Sequence, residues 1–92
     1  MTNEALKQLL IVDDDAPLRN RLARAMERKG FVVATAESVK DAISEAKKLP
    51  PDYAVVDLRL TDGYGLVAVE ALREINPGMR IIILTAYGNI AS

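Results

Sequence analysis

The 92-residue chain contains neither cysteine nor histidine. Their absence excludes a disulfide framework, a thiolate or imidazole zinc site, and any catalytic triad built on either side chain. A metal held by this chain must therefore sit among oxygens. An excess of charge of one sign is also lacking: 12 Lys+Arg against 13 Asp+Glu leave a net charge of −1. There is no broad basic surface to hold phosphates, which argues against direct nucleic acid binding by this chain. No apolar run approaches the ~20 residues of a spanning helix. The start Met1-Thr2-Asn3-Glu4 lacks the basic region of a signal peptide. The expected location is the cytoplasm, with no membrane partner. The length allows one small domain, 1–92, and 50% hydrophobic with 27% charged residues is ordinary globular composition.

What is present is an alternation of four short apolar runs with longer amphipathic ones, the rhythm of βαβ units. Leu9-Leu10-Ile11-Val12 is apolar at every position, as a central parallel strand covered on both faces would be. Asp13, Asp14 and Asp15 end it. A helix follows from Ala16, with Leu18, Leu22, Ala25 and Met26 on one stripe, Asp15 as N-cap, Pro17 in the first turn and Gly30 capping its end. Residues 31–35, rich in β-branched side chains, suit an edge strand. Ser38 caps a second helix carrying Val39, Ala42, Ile43, Ala46 and Leu49, stopped by Pro50-Pro51. Tyr53-Ala54-Val55-Val56 is the third strand, closed by Asp57; Asp62-Gly63 and Gly65 mark a turn-rich loop. A third helix is expected from about Leu66 to Ile75, with Leu66, Val69, Leu72 and Ile75 inward, ending at Asn76-Pro77-Gly78. Ile81-Ile82-Ile83-Leu84, closed by Thr85, is the fourth strand.

Three of these strands end in oxygen-bearing residues where the backbone leaves the sheet. In open parallel α/β sheets, ligands bind outside the carboxyl ends of the strands, so Asp13, Asp14, Asp57 and Thr85 are expected at one edge. Carboxylates gathered there repel by about 4 kcal/mol per pair at 4 Å and an effective dielectric near 20. Either a proton is taken up, or a hard divalent cation fills the gap, and all-oxygen ligation with room for waters favours Mg²⁺. The plainer reading, that the aspartate run only caps the first helix, needs one of the three residues.

Leu10-Ile11-Val12-Asp13-Asp14-Asp15, then Val55-Val56-Asp57-Leu58-Arg59-Leu60, then Ile83-Leu84-Thr85-Ala86 resembles the receiver domain of two-component response regulators. Asp62-Gly63-Tyr64-Gly65-Leu66 and Thr85-Ala86-Tyr87-Gly88-Asn89-Ile90 look like the redox-responsive RegA-type regulators within it. The resemblance implies a flavodoxin-like (CheY-like) doubly wound parallel sheet of strand order 2-1-3-4. It implies that Asp57 takes a phosphoryl group from a sensor histidine kinase. Asp13, Asp14, Asp57 and the Arg59 main-chain carbonyl would hold Mg²⁺ or Mn²⁺, with Thr85 and the Ala86 main-chain N–H on the phosphoryl oxygens. Such a domain is a phosphoacceptor for signalling rather than an enzyme acting on other substrates. Arg21, Arg24 and Arg28 form a stripe on the first helix that would meet the kinase, or simply a solvated face.

Receivers continue through a fourth helix, a fifth strand ending in a phosphate-binding lysine, and a fifth helix. None of these segments is in this sequence, and no lysine follows the fourth strand. The chain is thus expected to be a truncated receiver, with a DNA-binding transcriptional output domain outside it and self-association through the fourth strand and uncovered sheet face. Two rival readings remain. One is a phosphorylation-independent interaction module of the same fold. The other is a haloacid-dehalogenase-type phosphohydrolase fragment using Asp13 and Asp15, which leaves Asp57 unemployed.

Overall fold

A computed structural model describes residues 7–60 and 62–84. Four strands, β1 (Gln8–Val12), β2 (Val32–Ala36), β3 (Tyr53–Asp57) and β6 (Arg80–Leu84), form one sheet in the order β2-β1-β3-β6. All three pairings are parallel. This is the expected order, with β1 central and β2 at the edge. Between β3 and β6 lies a small antiparallel hairpin, β4 (Arg59–Leu60) and β5 (Gly63–Tyr64), where only a turn-rich loop was expected.

The helices form where capping and periodicity coincide. In α1 (Ala16–Arg28) the Asp15 carboxylate accepts the Leu18 N–H at 3.1 Å, and Pro17 needs no N–H partner in the first turn. Gly30, at φ 101°, follows the helix, where its amide donates to Glu27 and that of Phe31 to Met26. Those bonds keep Phe31 with the helix end, so β2 starts one residue later than the sequence suggests. In α2 (Val39–Lys48) Ser38 Oγ accepts the Asp41 N–H at 3.0 Å. Asn76 ends α3 (Gly65–Ile75), accepting the Gly78 N–H and donating its side-chain amide to the Pro51 carbonyl.

Alternation divides the strand residues between two faces. Leu10, Val12, Ala54 and Val56 pack with Val39, Ala42 and Ala46 of α2 and Ala68 and Leu72 of α3. Leu9 and Ile11 point the other way and are also buried, on the side where right-handed crossovers place α1. The α1 stripe of Leu18, Leu22, Ala25 and Met26 is only half-buried. Two expected core residues lie outside it: Leu49 is 56% exposed as the C-cap of α2, and Leu66 is 47% exposed in the first turn of α3.

Candidate functional site

Parallel register builds the site. Val12 lies opposite both Ala36 and Val56, and Asp57 opposite Leu84, so the residues following β1 and ending β3 reach the same edge. There Asp13, Asp14 and Asp57 each bring a carboxylate oxygen within 4.8 Å of the others. Asp13 is 3% exposed and Asp57 8%, while Asp14 faces solvent. They bound an open cleft of about 470 Å³ together with Asp15, Leu18, Arg59 and Leu84.

Asp13 and Asp57 are held by different local devices. The Asp13 amide donates to the Ala36 carbonyl at 3.0 Å, and its Oδ1 accepts the Asp15 N–H at 2.9 Å. Its own carbonyl accepts from Arg19 Nη1 at 2.8 Å, tying the first helix turn to the strand end. Asp57 Oδ1 accepts the Arg59 N–H at 3.3 Å. Gly65 packs so closely under Asp57 that a Cβ there would overlap the Asp57 carbonyl oxygen, and its amide donates to the Leu58 carbonyl at 2.7 Å. Burial pushes the Asp13 carboxyl above the usual aspartate range; the Asp15 N–H opposes this, and the charges of Asp57, Asp14 and Asp15 add to it.

The cluster fits a hard divalent cation: every donor is an oxygen, three acids converge, and the most buried of them is destabilised as an anion by burial and, after that, by its neighbours. The same geometry sets the Asp57 side chain at the cleft wall, and a carboxylate can act as a nucleophile without a histidine base. Asp15 lines the cleft too, but its carboxylate accepts the Leu18 amide as helix cap, and the acids that converge with Asp13 are Asp14 and Asp57.

Comparison with known proteins decides the lineage. Residues 9–92 match the model of the response regulator receiver domain. The chain belongs to that family. It is 57% identical over 86 residues to the photosynthetic apparatus regulatory protein RegA of Cereibacter sphaeroides, covering 94% of this chain and 47% of that protein. The acid tolerance regulatory protein ActR of Rhizobium meliloti is likewise 57% identical over 86 residues, with 94% of this chain and 44% of ActR covered. The chain therefore spans about half the length of these curated relatives. Among solved structures, a Burkholderia pseudomallei response regulator with a phosphorylated aspartic acid, calcium ion and citrate superposes with a TM-score of 0.85. It is 33% identical, over 91% of this chain and 49% of that one. The parallel 2-1-3-6 sheet is the CheY-like, flavodoxin-like fold of these receivers.

Of the receiver residues expected from sequence, Asp13, Asp14, Asp57 and Arg59 are brought to one cleft. Thr85 and Ala86 lie outside the described residues. Arg21, Arg24 and Arg28 are all solvent-exposed on α1. Sequence reasoning missed two supports of the site, Arg19 and the close packing of Gly65. Asp62-Gly63 and Gly65 stood out only as turn formers, and Arg19 carried no signal of its own. Among the described residues no helix is long and apolar enough to cross a membrane.

Proposed function

We propose that this receiver takes a phosphoryl group onto Asp57 from a phosphohistidine of a sensor kinase. The phosphorus–nitrogen bond breaks, a bond forms from an Asp57 carboxylate oxygen to phosphorus, and the released imidazole nitrogen is left free to take a proton from water. Asp13, Asp14, Asp57 and the Arg59 carbonyl would hold Mg²⁺, or Mn²⁺ in its place. The cation, when bound, supplies positive charge against the phosphoryl oxygens. Asp57 supplies the nucleophile, and the strand ends keep it in line for attack. Thr85 and the Ala86 N–H are assigned to phosphoryl oxygens, and the exposed Arg21, Arg24 and Arg28 stripe to an acidic kinase surface. The reading extends to a cytoplasmic transcriptional regulator whose DNA contacts are made outside these residues; the RegA and ActR relatives are named as regulatory proteins.

The observation that carries this reading is the buried Asp57 carboxylate beside Asp13 and Asp14 at the open end of the parallel sheet. Incubation with acetyl phosphate and Mg²⁺, followed by intact mass and borohydride mapping, tests it. One phosphoryl group at Asp57, lost in Asp57→Asn and with chelator, is expected. Labelling at Asp13 would point to phosphohydrolase chemistry, and no labelling at all to an interaction module.

A further inference from the structure

Asp62 has no part in the phosphoryl transfer described above, yet it makes a specific long-range contact. Its Oδ1 accepts the Val39 N–H at 2.8 Å and its Oδ2 the Lys40 N–H at 3.2 Å, across 23 and 22 residues of sequence. These are the first two amides of α2, which have no intrahelical partner. The helix already has its own cap in Ser38, whose Oγ takes the Asp41 N–H. Asp62 therefore adds to a start that its own chain has begun to satisfy. The Val39 amide, foremost, holds the Asp62 carboxyl below the usual aspartate range.

The contact ties the first turn of α2 to the hairpin that follows Asp57. Leu60 pairs with Gly63, and Arg59 with Tyr64, so Asp62 stands at the hairpin's tip beside Gly63. The hairpin's base is held by the Arg59 N–H on Asp57 and the Gly65 N–H on the Leu58 carbonyl. Only Asp62 links its tip to a packed element among the hydrogen bonds described. That element is rigid: Val39, Ala42 and Ala46 of α2 are in the core.

We propose that Asp62 is a positioning residue which, through its paired hydrogen bonds to α2, clamps the hairpin of β4 and β5 and so holds Arg59 where it lines the cleft beside the acidic cluster. This rests on the reading of that cluster as a divalent-cation site. Loss of the clamp weakens cation binding, as loss of groups that orient ligands does elsewhere, by about tenfold.

The test is a Mn²⁺ titration of the full chain, reading free Mn²⁺ by electron paramagnetic resonance, beside the thermal midpoint of each variant without metal. Asp62→Ala is expected to raise the Mn²⁺ Kd about tenfold. Asp62→Asn, which keeps an acceptor for Val39 and loses the one for Lys40, should fall between. Ser38→Ala removes the other cap of α2 and should lower the midpoint while leaving the Kd unchanged. Wild-type affinity in Asp62→Ala, or an equal weakening in Ser38→Ala, overturns the assignment by reducing Asp62 to a helix cap. Should Asp62→Ala not fold, Asp62→Asn decides: intermediate affinity supports the clamp and wild-type affinity overturns it. A wild-type chain that binds no Mn²⁺ removes the cation-site reading itself, and the clamp with it.

Discussion

Asp13 is pressed by burial and by three neighbouring carboxylates, relieved in part by one N–H bond from Asp15. Its raised pKa means that the folded chain binds this proton more tightly than the unfolded chain. Asp13 therefore favours folding most at pH below the ordinary aspartate range, and that contribution is lost as the pH rises through the raised value. Asp62 acts in the opposite sense, favouring folding above the ordinary range until acid reaches its lowered value. Without metal, Asp13→Asn should be more stable than wild type at neutral pH, with the difference shrinking toward about pH 4 in urea denaturation. An unchanged difference across that range would contradict the burial-and-repulsion account. The acids at the strand ends were legible because three in a row exceed what a helix cap needs. Gly65 was not, since its role comes from the Asp57 carbonyl, eight residues back in sequence and adjacent only after folding.

Elements with both a cap and a periodic stripe were legible from sequence to within about a residue. Asp15 and Ser38 occupy the N-cap positions assigned to them, because their short oxygen-bearing side chains satisfy an N-terminal amide of the same helix. Asp15→Ala should cost about 1 kcal/mol in denaturant unfolding with an unchanged m value. A cost near zero would mean that water replaces the cap without loss. Expectation and structure part in α3. Leu66, Val69, Leu72 and Ile75 recur strictly every three residues, and each such step turns about 60° around a helix. Leu66 and Ile75 thus lie on different sides, and the buried stripe runs through Gly65, Ala68 and Leu72 instead, leaving Leu66 exposed. The β4–β5 hairpin escaped notice because two-residue strands carry no readable period.

Across the whole molecule the two sheet faces are covered unequally. Ile11, Val55 and Ile82 stand in one row by register, and their exposure rises from 1% at Ile11 through half-buried Val55 to 60% at Ile82. The α1 helix packs on β1 and β2. Ile83, on the opposite face, is 40% exposed. Among the described residues, an apolar strand showing surface on both faces at a sheet edge is where a second copy of these residues would pack. Ile82→Lys should lower the apparent mass of concentrated chain in light scattering after size exclusion, toward that of a monomer. A wild-type chain that is already monomeric under the same conditions would contradict this.

The linear order of residues determined the strands, the helix caps and the acids at the strand ends, since these depend on neighbours a few positions away. It also carried the family resemblance, through three short motifs in a set order. Folding alone decided which of those acids converge in one cluster, because parallel register sets Asp57 beside Asp13 across 44 residues while the carboxylate of Asp15, two positions from Asp13, turns to its own helix. The Asp62 contact with α2 was decided there too, as backbone amides leave no mark in composition and acquire a partner only when the sheet aligns the loops.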